Sequence, residues 1–279
     1  MKPTDAHIDA IISTALEEDL GKGDITSTLV VDQDDKLAFV IAARQDLVSC
    51  GANVAQAVFE TFSAMQFSVV AEDGQWLQAG DPLLQGIGNA RDVLAAERVA
   101  LNLLQVMCGV ATTVRKFVEA VEGTDVKILD TRKTIPGLRP LQKYACTVGG
   151  GYNHRYCLDD GILIKDNHIG LSGSITQAVT KAKASAPHGM KVQVECDTLE
   201  QVKDALVAGA DMLLLDNMSP KMLKQAVEIV AGSVPLEASG GVTLDTVGAI
   251  AHTGVGYISV GSMTSSPMHV DIGLDIYRA

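Results

Sequence analysis

The sequence is short of basic residues. Lys and Arg number 22 against 34 Asp and Glu, a formal net charge of −12. A nucleic-acid-binding surface carries a basic excess, so duplex binding is not expected. Cysteine is scarce as well. Five cysteines (Cys50, Cys108, Cys146, Cys157 and Cys196) stand at irregular spacing with no C-x-x-C pair. An odd, unpaired set argues against a disulfide framework and a structural zinc site, and fits reduced thiols in the cytoplasm. No run of about 18 residues is consistently apolar, so no membrane span is expected. The uncharged stretch 99–114 holds Asn102, Gln105, Thr112 and Thr113. The N-terminal residues lack a basic segment followed by an apolar core, so no secretory signal is read there. The 26 glycines follow no three-residue period, which excludes collagen.

What remains is an ordinary globular balance, 47% apolar and 20% charged. The 279 residues suit two domains or one α/β barrel. The first third reads as an α+β unit. Ile8, Ile11, Ile12, Ala15 and Leu16 mark a helix over 7–20, with Asp5 as its cap and Gly21 as its stop. Strands are expected at 37–43, 66–72 and 82–87, and a helix capped by Asn89 over 90–108.

From about residue 115 short apolar runs alternate with helical segments, the pattern of a parallel sheet. The runs are 127–130, 161–165, 191–195, 212–216, 235–238 and 257–260, six in all. Their ends are polar. They carry Asp130 to Lys133, Lys165 to His168, Glu195 to Asp197, Asp216 with Asn217, Ser239 with Gly240 and Gly241, and Gly261. In a parallel barrel these ends converge on one rim, where active sites lie.

Each end has a chemistry. Ser239, Gly240, Gly241 and Gly261 suit phosphate, because glycine lets backbone N–H groups approach the oxygens. Glu195 and Asp216 suit sugar hydroxyls, Mg²⁺ held directly or through water, or salt bridges to neighbouring cations. Arg132, Lys133, Arg139, Lys143, Arg155 and Lys165, with His154 and His168, concentrate positive charge in an acidic chain. Such focusing draws a small anion, and arginine meets carboxylate or phosphate bidentately. The glycines at 149–151 suggest a close-fitting loop that aims His154 and Arg155 inward. Lys165 at a strand end also admits a Schiff-base lyase.

The motifs TRKTIPGLR (131–139), QKYA (142–145), GGGYNHR (149–155) and IKDNH (164–168) resemble the quinolinate phosphoribosyltransferases. So do EDLG (18–21), GDITS (23–27), Glu97 with Arg98, Leu101 with Asn102, LDN (215–217), SGG (239–241) and Asp271 with Ile272. The resemblance spans nearly the whole chain.

It implies an N-terminal α/β sandwich domain (1–112), a six-stranded parallel α/β barrel (113–266) and a C-terminal segment (267–279) returning to the sandwich. It implies Mg²⁺-dependent joining of quinolinate to phosphoribosyl pyrophosphate, giving nicotinate mononucleotide, pyrophosphate and CO₂ for NAD synthesis. Quinolinate would meet Arg132, His154, Arg155 and Lys165, with Arg98 supplied by the partner of a homodimer or larger assembly. Phosphoribosyl pyrophosphate would meet Lys133, Lys165, Glu195, Asp216, Ser239, Gly240, Gly241 and Gly261. Lys133, Lys165, Glu195 and Asp216 form the catalytic set, and Glu195 and Asp216 the metal set, through water in one reading. The chain departs from the family at Thr264, Ser265 and Ser266, where Thr-His-Ser is frequent; His269 stands four residues beyond Ser265. A transferase for another base and a non-catalytic binding homologue are the alternatives.

Overall fold

The structure, a computed structural model, describes residues 2–69 and 71–278. Met1, Val70 and Ala279 lie outside them. Val70 falls within the strand expected over 66–72, and Met1 and Ala279 end the first and last expected segments. Contacts divide the chain into two units. One holds the residues up to Arg115 with Thr134–Gly150 and the chain from Met263; the other holds Lys116–Lys133 and Gly151–Ser262.

In the first unit, chain order runs α1 (Asp5–Leu20), α2 (Ile25–Val30), β1 (Lys36–Ala43), β2 (Leu47–Val48), α3 (Ala52–Glu60), β3 (Gln66–Val69), β4 (Trp76–Leu77), β5 (Pro82–Asn89) and α4 (Ala90–Ala120). Thr4, not Asp5, caps α1: its hydroxyl accepts from His7 N–H, and Asp5 takes the first helical position. A carboxylate there still complements the helix dipole. Asn89 caps α4 as expected, its Oδ1 accepting from Arg91 and Asp92 N–H. The helix continues past 108 because no glycine-plus-proline stop follows, only Gly109 within an apolar run. By length and apolarity α4 could cross a membrane, yet 61% of its most apolar window is buried inside the protein, as in a core helix.

A four-stranded antiparallel sheet follows the order β12-β1-β5-β3, where β12 is Ile272–Arg278. Leu37 pairs with Arg278 and Ala43 with Ile272, which ties the chain end to β1. Phe39, Phe59 and Phe67 cluster beneath α3, ring centroids 4.8, 6.3 and 6.1 Å apart. Burying Phe39 and Phe59 is worth about 1.5–3 kcal/mol each. Gly86 makes room for them: a Cβ there would stand 2.5 Å from Phe39 Cζ.

In the second unit all six expected strands form. They are β6 (Lys127–Leu129), β7 (Ile162–Ile164), β8 (Val192–Cys196), β9 (Met212–Asp216), β10 (Leu236–Ser239) and β11 (Tyr257–Ser259). Between β6 and β7 in sequence lies α5 (Arg139–Val148), which groups with the first unit. The six strands make one parallel sheet in the order β6-β11-β10-β9-β8-β7. Tyr152 bridges to Leu129 beside the β6 edge. Helices α6 (Asp166–Ser172), α7 (Ile175–Ser185), α8 (Leu199–Val207), α9 (Pro220–Val230) and α10 (Leu244–Ala251) follow β7, β8, β9 and β10 in turn, and α11 (Ser262–Ser265) follows β11. Ser174, Thr198 and Ser219 cap α7, α8 and α9 through side-chain oxygens, each satisfying an otherwise orphan N–H.

Successive strand residues face opposite sides of a sheet. On β8 this separates Val192, Val194 and Cys196 from Gln193 and Glu195. On β10 it separates Leu236 and Ala238 from Glu237 and Ser239. The apolar sets pack with Val179, Val202, Leu223 and Val247 of the helices in the core. The polar sets share the other face and lead to the rim.

Candidate active site

The strand order fixes the sequence of chemical groups around the rim. Glu195 ends β8, between Lys165 after β7 and Asp216 at the end of β9. Ile164 pairs with Val194, so Lys165 and Glu195 follow side by side, and the ammonium contacts the Glu195 carboxylate. The salt-bridge reading of Glu195 therefore holds in this ligand-free chain. Asp216 stands opposite Ser239 in register, and Asn217 Nδ2 donates to Asp216 Oδ2 at 2.7 Å. Asn217 takes a left-handed conformation, φ 53°, which asparagine tolerates better than most residues.

The glycine loops are built as phosphate loops need. Gly240 and Gly241 have φ 90° and 60° and precede α10. A Cβ on Gly240 would stand 2.2 Å from Asn217 Oδ1. Gly261 lies against the Lys133 side chain, its hypothetical Cβ 3.0 Å from Lys133 Cδ. That contact brings the end of β6 to the end of β11.

The cations form a second cluster. Arg155 donates from Nη1 to the Gly161 carbonyl at 2.7 Å. Burial, then the charge of Arg132, lowers the Arg155 pKa from its ordinary value. Two guanidiniums close enough to oppose each other's charge are relieved by a shared anion. His154 lies behind Arg155. Its Nδ1 accepts from the Arg155 N–H at 2.8 Å, its own N–H donates to Asp130 at 2.8 Å, and its Nε2 is 3.4 Å from Glu237.

The other expected residues belong to the first unit or to the start of α6. Arg98 is exposed on α4, in the first unit. Arg139 and Lys143 belong to α5, also in the first unit, so the cationic stretch read along the sequence is divided. His168 caps its own helix, its Nδ1 accepting from Lys165 N–H. Cys196, beside Glu195, is a buried thiol whose pKa burial and the nearby Asp197 and Glu195 push up to about 12, so it stays neutral. Asp130, Gln193 and Glu237 are buried polar residues of the site that the sequence reading did not assign. The signal for Glu237 was present: one carboxylate inside the apolar run 235–238.

No group of three or more His, Cys, Asp and Glu among the described residues is arranged to hold a metal. Glu195 and Asp216 are two carboxylates on adjacent strands. That donor set suits Mg²⁺ that keeps its waters and arrives with substrate phosphates.

Comparison with known proteins agrees across the chain. The family model described as quinolinate phosphoribosyl transferase, N-terminal domain, matches residues 24–108. Its C-terminal counterpart matches residues 110–275. The carboxylating nicotinate-nucleotide pyrophosphorylase of Mycobacterium leprae (strain TN) is 44% identical over 283 residues, covering 98% of this chain and 99% of that protein. A solved nicotinate-nucleotide pyrophosphorylase from Ehrlichia chaffeensis superposes with TM-score 0.94 at 43% identity, over 99% of this chain and 100% of that one. The one from Francisella tularensis gives 0.94 at 38%, over 99% and 98%.

Proposed function

The chain belongs to the quinolinate phosphoribosyltransferase family, and from that premise we propose how its own residues carry the reaction. The enzyme joins quinolinate to phosphoribosyl pyrophosphate and releases pyrophosphate and CO₂, leaving nicotinate mononucleotide for NAD synthesis. The observation that carries the reading is the pairing of two chemistries on one sheet. Arg132 and Arg155 stand close enough to oppose each other's charge, as a site for a dicarboxylate requires. Glu195, Asp216 and the glycine loop at 239–241 follow along the same strand ends.

In this scheme Arg132, Arg155 and Lys165 orient the two carboxylates of quinolinate, with His154 holding the Arg155 backbone from behind, and Lys133 and Lys165 meet the pyrophosphate. The ring nitrogen attacks the anomeric carbon as its bond to pyrophosphate breaks. Positioning of the two reactants supplies much of the rate, and the lysines stabilise the departing anion. Glu195 and Asp216 hold ribose hydroxyls and the water shell of Mg²⁺, which supplies charge neutralisation at the phosphates. Ser239, Gly240, Gly241 and Gly261 take the 5′-phosphate. The C–CO₂ bond then breaks, its electrons stay on the adjacent ring carbon, and that carbon takes up a proton.

The chain works as a homodimer in the cytoplasm, with Arg98 of one subunit completing the site of the other. Three observations support this. Arg98 is exposed, Ile25, Leu29 and Val30 present apolar surface on α2, and the five cysteines are free thiols.

The test is incubation of the purified protein with quinolinate, phosphoribosyl pyrophosphate and Mg²⁺, following nicotinate mononucleotide and CO₂. Parallel arms use nicotinate and a chelator. Product from quinolinate alone, lost on chelation and restored by Mg²⁺, is expected. Product from nicotinate instead would assign another base. Turnover would also show that Ser265 serves where the family often has histidine.

A further inference from the structure

We propose that Glu237, in the middle of β10, is a positioning residue for the anion site and acts through the ring of His154. The inference rests on the quinolinate reading of the rim.

Glu237 is 1% exposed and lies between Leu236 and Ala238. A buried carboxylate is costly unless it is paired and hydrogen-bonded. Groups of the site meet both conditions at one oxygen, Oε2, while Oε1 is buried with no hydrogen-bond partner among the described residues. Gln193 Nε2 donates to Oε2 at 2.7 Å, and His154 Nε2 faces the same oxygen at 3.4 Å. Burial opposes the charge, but His154, Gln193 and Ser259 hold the carboxyl below its ordinary range.

The other ring nitrogen shows what this pairing achieves. Nδ1 accepts from the Arg155 N–H at 2.8 Å. A neutral imidazole that accepts at Nδ1 carries its hydrogen at Nε2. The ring is therefore held from both sides, Nε2–H toward Glu237 and Nδ1 under the Arg155 backbone. Asp130 grips the same segment a second time, accepting from His154 N–H at 2.8 Å and Asn153 Nδ2 at 2.6 Å. If the ring swings away from Glu237, Arg155 N–H loses its acceptor and the guanidinium is no longer presented in one place. Glu237 thus governs the quinolinate-binding arginine without touching substrate. The apolar run around it gives it no other partner of opposite charge on β10.

The experiment is a double-mutant cycle on steady-state kinetics with Glu237→Gln, His154→Gln and the double variant. Glu237→Gln is expected to raise KM for quinolinate about tenfold, with kcat and KM for phosphoribosyl pyrophosphate within about twofold. In the His154→Gln background, Glu237→Gln is expected to add less than about twofold. Multiplicative effects of the two changes, or equal losses in both KM values and kcat, would overturn the proposal in favour of a structural role. A second measurement uses the unmodified protein, should the variant not fold. ¹⁵N spectra of the histidine rings are expected to show His154, assigned by loss of its signal in His154→Gln, with hydrogen on Nε2 and none on Nδ1. Hydrogen on Nδ1 would refute the arrangement. A wild-type protein inactive on quinolinate would instead defeat the functional reading, and the ring spectra would still decide the geometry.

Discussion

Lys165 and Glu195 are neighbours across the β7–β8 ladder, ammonium on carboxylate. Lys165 is 44% exposed in its side chain and Glu195 13%, so the lysine is the more solvated partner. The phosphoribosyl substrate must share or replace this pair to use the ammonium. Lys165→Ala is expected to lower kcat by about 10²–10³, the loss usual for one transition-state donor. The fold should survive, because Lys165 is partly solvated. Steady-state rates with a thermal melt check both halves; a variant with near-native kcat would remove Lys165 from the chemistry.

Gly240 and Gly241 separate space from strain. Both have positive φ, but only at Gly240 would a Cβ meet Asn217, at 2.2 Å from Oδ1 and 2.8 Å from the backbone N. Left-handed backbone costs a non-glycine residue roughly 1–2 kcal/mol, and the clash adds to it. Gly240→Ala should lower Tm by several degrees, about 2–4 °C per kcal/mol. It should also raise KM for phosphoribosyl pyrophosphate more than Gly241→Ala does. Equal effects of the two variants would mean that the contact with Asn217 does not matter.

The proposed sharing of Arg98 between subunits has a mixing test. Arg98→Ala and Lys165→Ala should each be nearly inactive alone. Re-associated in equal amounts, they should regain roughly a quarter of native activity, because half of the dimers pair unlike subunits and carry one intact site of two. No recovery after verified exchange would place Arg98 in the site of its own subunit or outside it.

Asp211 gives a pH dependence. It accepts from Val192 N–H at 2.8 Å and from Lys183 at 3.1 Å. Burial opposes the charge, yet these partners bring the pKa below its ordinary value of 3.8. A carboxylate depressed in the folded state stabilises above its unfolded pKa, and the benefit fades as pH falls through the folded value. Asp211→Asn should therefore lower the urea midpoint at neutral pH. It should also flatten the decline of stability below about pH 4. Parallel midpoints at neutral and acid pH would read this directly; an unchanged acid slope would contradict it.

Much of the second unit was legible in the chain. Each short apolar run became a strand within a residue or two, because short buried parallel strands demand such runs. The residues at the strand ends could be listed in advance for the same reason. Boundaries set by competition were less clear: Thr4 took the cap from Asp5, and α4 outran its expected end.

The sequence by itself determined the alternation of strands and helices, the glycines of the 239–241 loop and the types of side chain at the strand ends. These follow from periodicity and from the backbone freedom of single residues, which are local. Tertiary structure alone decided the partners. Strand pairing and register set Lys165 beside Glu195 and Asp216 opposite Ser239, and put β6 next to β11, the strand of that sheet farthest from it in the chain. Helix α5, with Arg139 and Lys143, groups with the first unit, while Arg132, Lys133, Arg155 and Lys165 belong to the second. Glu237 and His154, 83 positions apart, met across the inner face of the sheet. A buried charge finds its partner through packing of the whole fold, and no local pattern records which partner that is.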